Sequence, residues 1–158
     1  MENQTIDLSQ KPVATSLTAT QQNSAEAVHP NLLLLRWESY SRNGQWLPAY
    51  LVAEALVAAL PGEPIGWIYR SFALQQLGYV QEARQHLLIA ARRFGADWRI
   101  AYNLACYASE LGDIAGGWNW LDRALELGNA DAIQLLALNE PVLKPLWQRA
   151  ARSVSCAA

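Results

Sequence analysis

The sequence has few of the residues that catalytic and metal sites use. Its 158 residues include two cysteines, two histidines and one methionine. No Cys or His pair has the spacing of a metal site, and two thiols do not make a disulfide framework. No phosphate-binding loop is evident either, because no Lys, Ser or Thr follows Gly116–Gly117. We therefore expect no metal, no cofactor and no catalytic residue.

Charge of either sign is also scarce. Charged residues make up 16% of the chain, and the formal net charge is −2. The chain lacks the basic excess that binding to a phosphate backbone needs, so we expect no nucleic-acid partner. No apolar run reaches the roughly 18 residues of a membrane span. The N-terminus has neither a basic nor an apolar signal region. These absences predict a cytoplasmic protein without membrane insertion.

Residues 1–29 differ in composition from the rest of the chain. They are rich in Gln, Asn, Ser and Thr and contain no aromatic residue. Such a segment cannot bury enough apolar surface to offset the entropy lost on ordering. We expect a disordered or weakly ordered polar leader. The alternative is a segment that folds into a groove of its own domain or onto a partner.

From Pro30 onward the sequence repeats with a period of 34 residues. The period is carried by matching columns of glycine, small residues and leucine: Gly44, Gly78 and Gly112; Ala49, Ala83 and Gly117; Leu87 and Leu121; Ala90 and Ala124. A fixed period of this length indicates an array of helical repeats. Each unit is predicted to hold two helices, the first ending just before its glycine. The predicted helices are 31–43, 46–60, 64–77, 80–94, 98–111 and 114–127.

The units resemble the tetratricopeptide repeat (TPR) over about 100 of the 158 residues. The second unit carries the family pattern at these positions: Trp67, Ser71, Leu74, Gly78, Ala83, Leu87 and Ala90. The resemblance implies an all-α, right-handed solenoid of helical hairpins, with repeats at 30–63, 64–97 and 98–128. One departure is Trp37, which stands in a column where the two helices of a unit approach closely. We therefore expect an irregular first unit.

After Gly128 the period fails. Residues 129–153 are expected to form irregular capping helices, near 130–138 and 142–152, followed by a tail at 154–158. Val142, Leu146 and Trp147 would cover the apolar end of the third unit, as solenoids need such caps. The stretch is similar to the C-terminal tails of bacterial TPR proteins.

The resemblance also implies a binding surface. In the TPR family the first helix of each hairpin lines a concave groove that commonly receives an extended or helical peptide. The stripe of each such helix that faces away from its hairpin partner is mostly apolar with a few polar groups, which is typical of a peptide groove. The candidate groove residues are Leu34, Glu38, Arg42, Ile68, Tyr69, Phe72, Gln76, Arg99, Tyr102, Asn103 and Cys106.

The predicted function is a non-enzymatic scaffold or adaptor that binds a protein or peptide in this groove. One alternative is a chaperone of a secreted, translocator-type protein. A second is a structural protein that associates with itself. In a related alternative, the polar leader of the same chain fills the groove. Some TPR proteins bind the C-terminal carboxylate of a partner with a clamp of basic and amide side chains. At the corresponding positions of this chain only Arg99 is a basic clamp residue, so we expect no binding of a partner's C-terminal tail.

A third alternative, from a different class, is an enzyme that uses Cys106 as its nucleophile. A reactive cysteine needs a neighbouring His or a helix N-terminus to lower its pKa, and Cys106 is predicted in mid-helix with neither. We expect it instead to be a small lining residue of the groove, accessible enough for chemical labelling.

Overall fold

The computed structural model describes residues 29–148. Within this range the chain forms seven α-helices, a 3-10 turn and a short helical stretch at 144–148, and it contains no strand. The helices are α1 (Pro30–Arg42), α2 (Trp46–Ala59), α3 (Ile65–Gln76), α4 (Val80–Arg93), α5 (Trp98–Glu110), α6 (Ile114–Leu127) and α7 (Ala130–Asn139), and the 3-10 turn is Pro141–Leu143. The predicted leader up to residue 28, the end of the predicted last helix and the tail lie outside the described residues.

The repeat pattern predicts these helices well. The ends of α1 to α7 agree with the predicted bounds to within one residue. The last predicted helix differs, because its start at residues 141–143 is a 3-10 turn and α-helical backbone begins only at residue 144. Consecutive helices pack against each other, so the chain is an all-α array of helical hairpins.

The three periodic glycines end α1, α3 and α5. Gly44, Gly78 and Gly112 have φ angles of +67°, +87° and +79°, a conformation that disfavours residues with a Cβ. At each one, the amide of the following residue donates to a carbonyl in the last helical turn, as in the 2.9 Å bond from Gln45 to Tyr40. This bonding satisfies carbonyls that the helix end leaves free. The 34-residue period of the glycines therefore marks the C-terminal end of the first helix in each hairpin.

Helix α5 lies at the centre of the packing. It contacts α3, α4, α6 and the 3-10 turn, and all its residues from Ile100 to Ser109 except Asn103 are buried. The small-residue column lies where helices approach closely. Ala49 and Ala83 are fully buried, and a Cβ added to Gly117 would lie 3.0 Å from Cδ2 of Leu146. Larger residues in this column would separate the helices.

Trp37 does not wedge the first hairpin apart. Its counterparts Ser71 and Ala105 are fully buried, whereas Trp37 is only half-buried. The indole ring instead lies against α3, where it stacks on Tyr69, and α1 still packs on α2. The expected irregularity thus becomes a contact between the first and second units.

The segment after α7 closes the end of the third unit. Leu143 and Leu146 are fully buried, and Trp147 meets Trp118 of α6 edge-on with ring centroids 5.0 Å apart. The indole N–H of Trp147 also donates to the carbonyl of Ala137 at 3.4 Å. These contacts fix residues 140–147 against α5 and α6, on the side where the sequence predicted a cap.

Candidate functional site

The stripe predicted to line a groove runs along α1, α3 and α5, and we refer to it as the A-helix face. Most of its predicted residues are exposed or half-buried in the structure: Leu34, Glu38, Arg42, Tyr69, Phe72, Gln76, Arg99 and Asn103. Three are buried: Ile68, Tyr102 and Cys106. The buried residues come mainly from α5, so the stripe is not uniform along its length.

The half of the face on α1 and α3 is aromatic and open to solvent. The rings of Trp37 and Tyr69 are parallel, with centroids 3.6 Å apart and an interplanar angle of 8°. Phe72 lies at 6.4 Å from Trp37 and at 5.7 Å from Trp46. All four rings are half-buried, and we call them the aromatic cluster. Large, rigid aromatic surface of this kind is enriched where proteins bind other proteins.

Sequence reasoning did not place Trp37 on this face. Its column in the repeat belongs to the packed side of the hairpin, where Ser71 and Ala105 lie. The available signal was its size, because a Trp side chain cannot occupy a column that holds a serine or an alanine in the other units without turning away. Its turn toward α3 adds a ring to the face.

The half of the face on α5 is covered by the chain itself. Tyr102, Cys106 and Ser109 are exposed by only 8%, 6% and 5%. The hydroxyl of Ser109 donates to the carbonyl of Val142 at 2.6 Å, and the 3-10 turn packs on α5. A groove filled by the protein's own chain was predicted as an alternative, with the leader as occupant. Here the segment after α7 takes that place on α5.

A small cavity lies where the two halves meet. Its volume is about 180 Å³. It is lined by side chains from α3, α5 and the segment after α7: Phe72, Gln75, Gln76, Asn103, Cys106, Glu140 and Val142. The sequence did not predict Gln75, Glu140 or Val142 at this site. Glu140 and Val142 lie beyond the repeat, and Gln75 lies outside the predicted stripe and donates to Glu110 at 2.7 Å. We call this space the Glu140 pocket.

Arg99, at the start of α5, is already paired. Its guanidinium donates to both carboxylate oxygens of Asp97, at 3.0 and 2.6 Å, and Asp97 also caps α5 by accepting from the amide of Arg99. Burial by itself would raise the pKa of Asp97, but the hydrogen bonds from Arg99 outweigh it and lower that pKa. Arg99, the only basic residue at a clamp position, is therefore paired with Asp97 of its own chain.

Cys106 is unsuited to act as a nucleophile in this structure. Burial, with a smaller effect from the carboxylates of Glu140 and Glu110, raises the pKa of its thiol to about 12. A thiol with so high a pKa is almost entirely protonated near neutral pH. The same burial contradicts the expectation that Cys106 is accessible for labelling.

Other kinds of site find little support in residues 29–148. No group of three or more His, Cys, Asp and Glu residues in this range could hold a metal ion. No helix in this range is long and apolar enough to cross a membrane. A wider depression of about 740 Å³ lies beside the loop between α4 and α5, between Pro64 and the side chains of Phe94 and Trp98. Arg93, Asp97 and Arg99 also line it, and of these Asp97 and Arg99 are paired with each other.

Comparisons with known proteins support the fold. No family model matches the chain, and no curated protein matches it in sequence. Fourteen chains of solved structures match its fold. One is PcrH, crystallised in complex with the chaperone binding region of PopD, with a TM-score of 0.56 and 20% sequence identity. The match covers 80% of this chain and 88% of the PcrH chain. At this identity the likeness shows a shared helical-repeat fold.

Proposed function

We propose that this protein is a TPR-type adaptor that binds a segment of another protein on the A-helix face. The observation that carries the proposal is the aromatic cluster. Trp37, Tyr69 and Phe72 present a mostly apolar surface between two hairpins, where a solvated helix face would be polar. Apolar surface with a few polar groups beside it is what a peptide groove offers.

Membership of the TPR family is part of this proposal. The 34-residue columns, the helix stops at the three glycines and the fully buried alanines at positions 49 and 83 all support it. In that family the first helices of the hairpins line the concave side, which is the side on which we place the partner. The protein would act by binding alone, without chemistry at Cys106.

A chaperone is the second candidate, and the fold comparison favours it. PcrH, which shares the fold, was crystallised with the chaperone binding region of PopD. A chaperone would keep an apolar segment of its client away from water until the client is delivered. Adaptor and chaperone use the same face, so both depend on the aromatic cluster.

The proposal can be tested without knowing the partner. A random library of displayed dodecapeptides is selected on the full-length protein, and the binding of enriched peptides is measured by fluorescence anisotropy. We expect peptides with spaced apolar residues. Phe72→Glu should weaken their binding at least about tenfold, because it places a carboxylate in the aromatic cluster. Gln76→Trp, at an exposed position beside the cluster, should block the face by its bulk.

Ile89→Glu is the matched control, because Ile89 is an exposed apolar residue on α4. Circular dichroism verifies that each variant keeps its helices. Equal binding by the wild type, Phe72→Glu and Gln76→Trp would contradict binding on the A-helix face.

A further inference from the structure

The Glu140 pocket differs from the rest of the A-helix face because it combines apolar walls with a carboxylate. Phe72, Cys106 and Val142 supply apolar surface, Glu140 supplies the charge, and the remaining lining residues carry neutral amides: Gln75, Gln76 and Asn103. Its volume of about 180 Å³ leaves room for one side chain of a bound peptide and little more. Lys and Arg bury an aliphatic stem along apolar surface while their charged end reaches a polar group. The pocket has the composition that such a side chain needs.

Glu140 has no cation in the described part of the chain. Two other acidic residues near the face are paired with cations: Glu38 with Arg42, and Asp97 with Arg99. Glu140 accepts only a long bond of 3.4 Å from the amide of Val142. Glu110, also near Cys106, accepts from the neutral amide of Gln75. The carboxylates of both glutamates contribute to the raised pKa of the Cys106 thiol, after burial itself, which shows that the field in this region is negative.

A partner that covers this pocket would remove Glu140 from water. An unpaired carboxylate is costly to bury, whereas a carboxylate that meets a cation in good geometry recovers much of that cost. An apolar or acidic side chain in the pocket would leave the charge uncompensated. We propose that the Glu140 pocket is a specificity site for a lysine or arginine of the bound segment, placed next to the apolar residues that bind the aromatic cluster. This inference rests on the proposed function.

The same peptide selection tests the inference at the sequence level. Peptides enriched on the wild type should carry Lys or Arg at a fixed spacing from their apolar residues. Selection on Glu140→Gln should retain the apolar residues and lose the preference for the basic one. Glu82→Gln, an exposed carboxylate on α4, is the matched control and should select the same motif as the wild type.

One enriched peptide then gives a thermodynamic test. Replacing its basic residue by norleucine should weaken binding to the wild type about tenfold or more, the range found for close charge pairs across interfaces. The same replacement should change binding to Glu140→Gln little. Enriched peptides without a fixed basic residue, or an equal loss on wild type and Glu140→Gln, would overturn the pocket assignment and leave the proposed function standing. A selection that enriches no peptide would overturn both.

Discussion

The two halves of the A-helix face come from equivalent positions of the repeat but have different surroundings. On α3, Tyr69 and Phe72 are half-buried and lie beside Trp37 of the preceding unit. On α5, the equivalent of Phe72 is Cys106, which is only 6% exposed and lies beside Glu140 and Val142 of the segment after α7. The difference shows that the surface available to a partner depends on the segment beyond the last repeat as well as on the repeat itself.

Thiol reactivity should separate the two halves most strongly. In a Cys156→Ser background, Cys106 should react with a maleimide at least about tenfold more slowly at pH 8 than an exposed thiol, because its side chain is buried and the burial raises its pKa, which leaves little thiolate. Gln76→Cys with Cys106→Ser places a thiol in the open half and should react at an ordinary rate. Raising the pH should speed the reaction of Cys106, since more thiolate forms.

Equal rates for the two thiols at pH 8 would show that residues 140–143 do not cover α5. Reaction is followed by mass spectrometry of the intact protein, and circular dichroism verifies the fold of both variants.

Replacing a leucine in the segment that covers α5 should lower stability more than replacing an exposed leucine elsewhere. Leu143→Ala should lower the free energy of unfolding by about 2–5 kcal/mol, the usual cost of removing a fully buried leucine. Leu135→Ala is the matched control, since Leu135 of α7 is 64% exposed and should change stability by less than about 0.5 kcal/mol. Urea denaturation measures both values. Similarly small changes in the free energy of unfolding for both variants would mean that the segment after α7 packs only weakly on α5.

The aromatic stack of the open half should give the smallest effect. A double-mutant cycle with Trp37→Ala and Tyr69→Ala should yield a coupling free energy of about 0.5–1.5 kcal/mol, as is typical of aromatic pairs. The parallel rings at 3.6 Å are the reason to expect coupling. A cycle with Trp37→Ala and the distant Tyr79→Ala is the control. Additive losses in the first cycle would contradict the stack.

Much of the fold follows from local sequence signals. The glycines at 44, 78 and 112 require a backbone conformation that ends a helix, and the alanines at 49 and 83 require close helix packing. Both constraints act within a few residues or between adjacent helices, so a periodic sequence shows them directly. The cap was also predictable, because Leu146 and Trp147 follow the apolar spacing of a covering helix.

The site was less predictable, since it depends on contacts between residues far apart in the chain. Cys106 has the spacing of a presented stripe, but it is buried beside the segment around Val142, which lies outside the period. Trp37 has the spacing of a packed column, but its size turns it toward Tyr69. The period specifies which helix face a residue occupies, and it does not specify what covers that face.

Photo-crosslinking tests the central claim most directly. An aliphatic diazirine amino acid, close to glutamine in size, is introduced at Gln76 on the open half, and in a separate variant at Gln85 on α4; both positions are exposed glutamines. A labelled peptide from the library selection is added and irradiated. If partners bind on the A-helix face, the peptide crosslinks from position 76 and not from position 85. Crosslinking from position 85 alone, or equally from both, would contradict the account.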